Sequence, residues 1–443
     1  MHFLAKLLFA PKTIESEIIR INEKHRAEGK DLLLKSEGVE LANIAQNAKD
    51  YAKIFAEDLK SGVYKIQPAR LVDIEVAGKV RTLYLFGLND SILHGVISNI
   101  VHDHCQKNFS PNLKSYLKGR SHWKTLKEFE AFVRKYYQSD TPLLKKGLYL
   151  LRRDIASYTD RIPVHDESLL WPLLKKEIDF PDHPSSLEAR AWDYMKQVIQ
   201  TEADCPTRGV FRKETGVPTG SPISTTLFNV YMVELDRSLD NLHPKFYTRY
   251  GDDIIVADTD KEITNKASII IKDVLDKYSL ESNKKKLESY YFNNAGRHPN
   301  IIYKEGEERY PGRDRILFLG CEIKANGTVS LSKKNKNNLL QDIQTRLLKI
   351  PQNLPPSRRL DLICRAVQAT LDPTQPLCHK TALLLRYNIN DRHCLKELDK
   401  RIALKILQSL LGRDSPKGFK TFPIRIMREK GLPSLVHLRN LEK

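Results

Sequence analysis

Two adjacent carboxylates stand between two strand-like runs in the stretch YTRYGDDIIVAD, residues 247–258. Aromatic and β-branched residues on both sides favour strands. Gly251 supplies the positive φ that a tight turn needs, so Asp252 and Asp253 are predicted at a hairpin tip. An isolated pair of this kind is most often a solvated acidic turn. The alternative is a site for a divalent cation, because a bound cation cancels the repulsion between the carboxylates.

A third aspartate is a candidate partner for this pair. Nucleotidyl transfer uses two divalent ions about 3.5–4 Å apart, and carboxylates from at least two backbone segments are needed to surround them. The segment KGLYLLRRDIASYTDRI, residues 146–162, is interpreted as a buried strand that delivers Asp154 at its end. A strand-end aspartate is equally common as a turn or helix cap, so Asp154 alone does not decide between these roles.

Composition restricts the class of protein. The chain has 443 residues, of which 41% are hydrophobic, and this predicts a globular protein with several subdomains. No apolar run approaches the length that crosses a bilayer. The six cysteines show no framework spacing and are interpreted as reduced thiols. We therefore expect a cytoplasmic protein that does not contact membranes.

The positive charge is concentrated in the last quarter of the chain. The formal net charge is +18, and residues 324–443 contain 24 Lys and Arg against 9 Asp and Glu, an excess of 15. This concentration predicts a surface that binds a polyanion. Nucleic acid is favoured over a membrane, because no large continuous amphipathic apolar face accompanies the charge.

Five segments in a fixed order carry a family resemblance. They are DIASYTDRI (154–162), GVPTGSPISTTLFNVYM (216–232), RYGDD (249–253), LESNKKK (280–286) and FLGCEI (318–323). The series resembles motifs A to E of the reverse transcriptase family. The upstream segments GKVRTLYLFGLNDSI and SYLKGRS resemble the family's fingers motifs, and the resemblance covers roughly residues 62–335.

The resemblance implies an α+β fold of the right-hand polymerase type. The expected order begins with an N-terminal helical extension. It is followed by fingers, a palm with an antiparallel sheet, a primer-grip hairpin and a basic α-helical thumb-like domain. The corresponding segments are the extension at 1–62, fingers at 63–153, palm at 154–316 with a helical fingers insertion at about 165–210, primer-grip hairpin at 317–335 and thumb-like domain at 336–443.

The resemblance also implies a metal site. Asp154 and Asp252 would ligate two Mg²⁺ ions, Asp253 would support the second carboxylate position, and the Ile155 carbonyl would complete one coordination shell. Mn²⁺ is an alternative ion. Lys286 matches the motif D lysine, a candidate proton donor to departing pyrophosphate. The neighbouring lysines at 284 and 285 leave this assignment open by a residue or two.

Further residues match the family's nucleotide-binding positions. Lys79 and Arg81 match the fingers positions that grip the triphosphate, for which a bidentate guanidinium is suited. Gly220 would let the backbone approach the template and the incoming nucleotide closely. The sugar-gate position, where an aromatic ring is usual in the family, is Thr159, with Tyr158 just before it. Either Tyr158 forms the wall instead, or discrimination against ribonucleotides is weak.

Template and primer contacts are expected from three segments. The family's usual P-Q-G appears here as P-T-G, so a common glutamine contact is missing. The fingers motif supplies one candidate, a basic residue, and the motif B segment supplies three candidates that are not charged. The motif E hairpin would position the primer 3′ end. The expected template and primer residues are Arg120, Pro218, Ser221, Asn229, Phe318, Leu319 and Gly320.

These features predict an RNA-directed DNA polymerase that uses dNTPs and an RNA template to make DNA. The compact layout is similar to stand-alone defence-associated bacterial enzymes of the abortive-infection and "unknown" groups, which implies a structured non-coding RNA template and an antiphage role. Several alternatives remain open: template-independent DNA synthesis, a group II intron-like or retron-like enzyme, and a viral-type RNA-dependent RNA polymerase. Two further alternatives are a non-catalytic nucleic-acid scaffold and a zinc module built from the Cys378–His379 and His393–Cys394 pairs.

Overall fold

The protein is described from a computed structural model that covers residues 1–27, 35–36, 39–76, 79–137, 147–205, 207, 209–292, 301–303, 309–311, 315–375, 378–412 and 416–440. Within the described residues the strands are β1 (Lys35–Ser36), β2 (Val39–Glu40), β3 (Ala69–Val76), β4 (Lys79–Leu85), β5 (Leu148–Asp154), β6 (Glu202–Cys205), β7 (Gly209–Arg212), β8 (Phe246–Tyr250), β9 (Asp253–Asp258), β10 (Glu288–Phe292), β11 (Ile301–Tyr303), β12 (Arg309–Pro311), β13 (Arg315–Phe318), β14 (Cys321–Lys324) and β15 (Val329–Leu331).

Helices make up most of the remaining regular structure. They are α1 (Phe3–Leu8), α2 (Pro11–Ala27), α3 (Leu41–Gln46), α4 (Ala48–Ser61), α5 (Leu88–Cys105), α6 (His122–Tyr137), α7 (Tyr158–Arg161), α8 (Leu170–Glu177), α9 (Ser186–Ile199), α10 (Ile223–Tyr231), α11 (Val233–Asn241), α12 (Lys261–Lys277), α13 (Lys333–Leu348), α14 (Pro356–Leu371), α15 (Ala382–Tyr387), α16 (Arg392–Leu411), α17 (Ile424–Glu429) and α18 (Leu435–Asn440).

The chain divides into two units. The first contains residues 1–119, 151–256 and 262–287, and the second contains residues 120–150, 257–261 and 288–443. Most of the candidate site residues lie in the first unit. The expected subdomain boundaries stay a prediction, because a division by compactness does not identify fingers, palm or thumb.

The first unit is built around helix α5, which is buried along most of its length. Its apolar residues Leu88, Ile92, Val96 and Ile97 are almost inaccessible to solvent. A helix that is apolar on most sides must be covered by neighbours, and α1, α2 and α10 pack against it. Strands β5, β9 and β8 lie side by side in that order. This arrangement brings the C-terminal end of β5 next to the turn between β8 and β9.

A second sheet in the first unit has the strand order β4-β3-β6-β7. Strands β3 and β4 form an antiparallel pair, in register from Arg70 opposite Leu85 to Val76 opposite Lys79. The expected helical segment at about 165–210 contains α8 and α9 but ends in β6 and β7 instead. Strand β6 pairs in parallel with β3, a long-range partner that local sequence does not reveal.

The second unit contains two antiparallel three-stranded arrangements and the C-terminal helices. Strands β10, β11 and β12 pair in that order, and so do β13, β14 and β15. The FLGCEI segment is itself a hairpin, because its turn falls at Leu319 and Gly320. Both turn residues have positive φ, which is the backbone signature of a tight two-residue hairpin.

Candidate active site

Asp154 is the last residue of β5, and its carboxylate is held at both oxygens. Asp154 is buried, and so are most other residues of β5. Its Oδ1 accepts a hydrogen bond from Asn283 Nδ2 at 3.0 Å, and its Oδ2 forms an ion pair with Lys286 Nζ. The Asn283 backbone N–H also donates to the Asp154 carbonyl at 2.7 Å. The segment around Lys286 is therefore fixed against the end of this strand.

The turn between β8 and β9 is supported from within the fold. Gly251 has φ +64°, and its N–H donates to Ser115 Oγ at 2.9 Å. Arg249, which is fully buried, pairs with Asp236 through Nε and Nη2 at 2.8 and 2.6 Å. Arg249 Nη1 also donates to the Gly251 carbonyl at 3.2 Å. A buried and fully paired arginine therefore anchors the turn that carries Asp252.

The three aspartates meet at this turn. One carboxylate oxygen from each of Asp154, Asp252 and Asp253 lies within 4.8 Å of the others. Asp253 Oδ1 also accepts from Arg152 Nη2 at 3.0 Å. The Ile155 N–H donates to the Asp252 carbonyl at 3.1 Å, so the end of β5 is bonded to the turn. The structure thus brings together the carboxylates that the sequence predicts.

The electrostatics of this cluster suit a cation. The Asp252 side chain remains accessible, yet partial burial of its carboxyl and the charges of Asp253 and Asp154 raise its pKa to about 6. Burial also raises the pKa of Asp253, while the Arg152 guanidinium opposes that shift. Carboxylate oxygens are the ligands that Mg²⁺ and Mn²⁺ prefer. The donor set therefore fits the divalent cations that were predicted here.

Of the three lysines at 284–286, Lys286 pairs with an aspartate of the triad. Its side chain is 40% exposed and its ammonium pairs with Asp154, whereas Lys284 and Lys285 are exposed. Ile155 is joined to Asp252 through its N–H, and the expected ligand role of its carbonyl stays a prediction. The ligand and proton-donor roles themselves stay predictions.

The loop at residues 218–221 packs against β4. Gly220 has φ +112°, and a Cβ atom there would lie 2.9 Å from the Tyr84 carbonyl oxygen. The Tyr84 N–H donates to the Thr219 carbonyl at 2.9 Å. The Gly220 backbone therefore lies close to strand β4, and its approach to template and nucleotide stays a prediction. Sequence reasoning did not identify Tyr84, because the contact joins residues more than a hundred positions apart.

Pro218 and Ser221 of this loop make hydrogen bonds within the fold. The Pro218 carbonyl accepts from the Ser221 N–H and from Ser224 Oγ, at 3.0 and 2.9 Å. Ser221 is buried, and its Oγ lies 2.7 Å from Nδ1 of the buried His94. Burial lowers the pKa of His94 to about 3, so this imidazole is neutral. In this conformation Pro218 and Ser221 stabilise the loop, and contact with template or primer remains a prediction for them.

Asn229 is placed differently from the expectation. It is fully buried in α10, and its Nδ2 donates to the Ser115 carbonyl at 3.1 Å. Ser115 in turn accepts from Gly251. Because its side chain is inaccessible, Asn229 does not line a surface that template or primer could contact here. It positions the residue that holds the Asp252 turn.

Tyr158 and Thr159 have opposite environments at the start of α7. Tyr158 is buried, its hydroxyl donates to the Phe228 carbonyl, and the two rings lie 5.3 Å apart. Burial also raises the pKa of this phenol above its usual range. Thr159 is exposed, and its carbonyl accepts from the Val217 N–H at 3.1 Å. Of the two gate candidates, Thr159 is therefore the accessible side chain.

Four predicted residues lie in the second unit. Arg120 is half-buried. Phe318 is buried and packs edge-on against Phe129 at 5.6 Å, so it supports the hairpin from within. Leu319 and Gly320 form the turn, and the Gly320 carbonyl accepts from Asn335 Nδ2 at 3.1 Å. Leu319 and Gly320 are half-buried, and a contact of this turn with primer stays a prediction.

Two predicted residues cannot be placed. Lys79 and Arg81 belong to β4, but their side chains lie outside the described residues. Within the described part of the chain, the aspartate triad is the one group of three or more potential metal ligands, and the cysteine–histidine pairs form no such group. No helix in this part of the chain is long and apolar enough to span a membrane.

Comparisons with known proteins give one family match. A family model described as reverse transcriptase (RNA-dependent DNA polymerase) matches residues 36–323. A search of curated proteins gives no match.

Solved structures of telomerases are similar to this chain at low identity. One is an apo telomerase from Candida tropicalis truncated from its C-terminal domain, with 12% identity, a TM-score of 0.42 and coverage of 64% of this chain and 60% of that one. Another is the Candida albicans telomerase in complex with a TWJ fragment of telomeric RNA, with 12% identity, a TM-score of 0.44 and coverage of 84% and 68%. The match thus spans less than two thirds of the first of these structures.

Proposed function

The chain belongs to the reverse transcriptase family, and from this premise we propose that it synthesises DNA on an RNA template. Deoxynucleotides would be added to a primer 3′ end at the aspartate triad. The observation that carries the proposal is the convergence of Asp154, Asp252 and Asp253, whose ligand oxygens lie within 4.8 Å of one another. A solvated acidic turn does not require a third carboxylate from a separate strand.

The three aspartates would hold two divalent cations, with the Ile155 carbonyl as an additional ligand. When bound, such ions supply Lewis-acid activation of the primer 3′ hydroxyl and neutralise charge on the leaving pyrophosphate. Asn283 orients Asp154, and Arg249 holds the turn that carries Asp252. These residues fix the carboxylates before substrate arrives, which is how a site of this kind lowers the reorganisation cost of the reaction.

Chain residues around the triad would bind the nucleotide and handle its protons. Lys286, whose ammonium is already at Asp154, is the proposed proton donor to pyrophosphate. Lys79 and Arg81 are the proposed triphosphate contacts by their match to the family positions. Thr159 would face the sugar, and Gly220 would place its loop beside it. In the second unit, Leu319 and Gly320 would position the primer, and Arg120 would contact nucleic-acid phosphates.

The biological setting is a further proposal. A structured non-coding RNA would serve as the template, with the basic residues of 324–443 contacting its phosphates. We place the enzyme in the cytoplasm, in antiphage defence, on the similarity of its compact layout to stand-alone bacterial enzymes of that kind. Sequencing the nucleic acid that copurifies with the protein tests this proposal. One enriched RNA species and DNA complementary to it are expected, whereas a random RNA sample would contradict it.

A direct test of templated synthesis uses a defined primer on an RNA template of known sequence. Purified protein with Mg²⁺ and all four dNTPs should extend the primer with the complementary sequence. A product whose sequence ignores the template would favour template-independent synthesis. Extension by ribonucleotides alone on the same template, with dNTPs rejected, would instead indicate an RNA polymerase and overturn the proposal.

A further inference from the structure

An arginine contacts the aspartate triad from the same strand as Asp154. Arg152 lies two residues before Asp154, so both side chains project from the same face of β5. The Arg152 side chain is 5% exposed, and its Nη2 lies 3.0 Å from Asp253 Oδ1. A charged group is retained at such low exposure only when it is paired, and here a carboxylate of the triad is its partner.

This arginine has a different character from the other cation at the site. Lys286 is 40% exposed and lies on a flexible stem, so its ammonium can move away from Asp154. Arg152 is fixed by burial, and a guanidinium keeps its charge throughout the range in which proteins fold. Three carboxylates close enough to share a cation therefore sit beside one permanent positive charge.

We infer that Arg152 is a positioning residue of the metal site, which holds Asp253 by one oxygen and reduces the affinity of the triad for divalent cations. Affinity for these ions depends on the number of ligand charges and on the rigidity of the site. One carboxylate oxygen is committed to the guanidinium, and one of three negative charges is offset. The inference rests on the proposed function, because it assigns the triad to cations.

The test compares the Mg²⁺ dependence of thermal unfolding in wild type, Arg152→Gln and Arg152→Lys. Arg152→Gln leaves Asp253 without its fixed partner. We expect the metal-free protein to unfold at a lower temperature, and the Mg²⁺ concentration for half-maximal stabilisation to fall roughly three- to tenfold. Arg152→Lys keeps the charge and should stay within about twofold of wild type. The Mn²⁺ concentration for half-maximal binding, measured by electron paramagnetic resonance, should also be lower in Arg152→Gln than in wild type.

Arg153→Gln is the matched control. Arg153 is the next residue of the strand and is equally buried, but its guanidinium bonds Ser268 Oγ and the Arg152 carbonyl, at 3.0 and 2.9 Å. Its replacement should lower the unfolding temperature and leave the Mg²⁺ midpoint unchanged. If Arg152→Gln behaves in the same way, Arg152 only packs the strand and the inference is overturned.

Two further outcomes separate the inference from its premise. If Arg152→Gln does not fold, combining it with Asp253→Asn should restore folding, because the carboxylate that lost its guanidinium partner is then neutral. An unfolded double variant would contradict the inference. If wild type takes up neither Mg²⁺ nor Mn²⁺, the proposed function fails. If wild type binds the ions and the Arg152→Gln midpoint is unchanged, only the inference about Arg152 fails.

Discussion

At the scale of single residues, the three aspartates share one site but have different partners. Asp154 is bonded by Asn283 and Lys286, Asp253 by Arg152, and Asp252 remains accessible. The sequence predicts the aspartates, because the motif order places each at a strand end or turn. It does not reveal Asn283 or Arg152 as partners, since such contacts depend on how separate strands align.

The raised pKa of Asp252, about 6 against an ordinary 3.8, predicts opposite effects of pH with and without metal. The folded, metal-free protein binds this proton more tightly than the unfolded chain does, so stability from this group rises as pH falls from about 7 to about 4. Bound Mg²⁺ requires the ionised carboxylate. Addition of Mg²⁺ should therefore raise the unfolding temperature more at pH 7.5 than at pH 5.5.

Asp252→Asn should remove this pH dependence. Without metal at pH 7.5, the variant should unfold about 1–2 °C higher than wild type, because one of three crowded charges is gone and solvent screens part of the effect. The exposed Asp273 on α12 offers a control, since Asp273→Asn leaves the triad intact. Equal stabilisation by Mg²⁺ at both pH values in wild type would contradict this interpretation.

The environment of Thr159 predicts weak selection against ribonucleotides. Tyr158 is held in the core by its bond to the Phe228 carbonyl, so the accessible gate side chain is a small threonine. Thr159→Tyr should lower the relative use of rNTPs about tenfold or more, because the ring would clash with a 2′-hydroxyl. The ratio of kcat/KM values for dNTPs and rNTPs measures this effect. Tyr158→Phe should leave the ratio unchanged, and a changed ratio would make Tyr158 the gate.

At the scale of elements, local pattern predicts the strands and turns that carry the site. The run around Gly251 becomes β8 and β9, and the apolar run before Asp154 becomes β5. Elements defined by long-range pairing are missed. Strand β6 pairs with β3, which lies more than a hundred residues earlier in the chain.

The contact between the 218–221 loop and β4 leads to a prediction for Gly220. Alanine there would adopt φ +112° and place Cβ 2.9 Å from the Tyr84 carbonyl oxygen. Gly209 also has positive φ, but it has open space around it. Gly209→Ala should lower the free energy of unfolding by about 1 kcal/mol. Gly220→Ala should lower the free energy of unfolding by about 1–2 kcal/mol more than Gly209→Ala does, because the added Cβ would press on the Tyr84 carbonyl oxygen. It should also raise the KM for dNTPs.

Chemical denaturation and steady-state kinetics of the two alanine variants check this prediction. Equal losses of stability would show that the loop adjusts freely and that its approach to β4 is not tight. An unchanged KM in Gly220→Ala would separate the loop from nucleotide binding.

At the scale of the whole molecule, the sequence predicts where the charge lies but not how the basic region is built. Helix α6, far upstream, shares a unit with the C-terminal helices. Asn388 Nδ2 donates to the Trp123 carbonyl, and Asn390 Nδ2 donates to Glu130, both at 2.9 Å. Deleting the chain after Ser332 would remove these partners of α6, so substitutions at exposed residues test the basic region more cleanly than truncation does.

The basic region predicts salt-dependent RNA binding. Changing Lys333, Lys334, Arg358 and Arg365 to glutamine removes four charges from exposed positions in this region. The affinity for structured RNA should fall. The magnitude of the slope of log affinity against log salt should decrease by up to about 3.6, since each of the four phosphate contacts contributes roughly 0.7–0.9. Filter binding across a salt series measures both quantities.

Four exposed lysines in the first unit provide the matched control. Glutamine at Lys12, Lys24, Lys49 and Lys266 removes the same charge from surfaces outside residues 324–443. The control variant should keep an affinity and a salt slope close to wild type. If the control variant loses RNA affinity and the variant of the basic region retains it, the N-terminal helices or fingers bind the RNA instead.

The central claim is that Asp154, Asp252 and Asp253 form the metal site of a DNA polymerase, and primer extension by aspartate variants tests it most directly. Asp154→Asn and Asp252→Asn each remove one charge from a site that needs charge to hold its ions. Purified variants should show native unfolding transitions and less than about a hundredth of the wild-type extension in Mg²⁺, while Asp273→Asn should match wild type. A folded Asp154→Asn or Asp252→Asn protein that retains a tenth of wild-type extension would contradict the account.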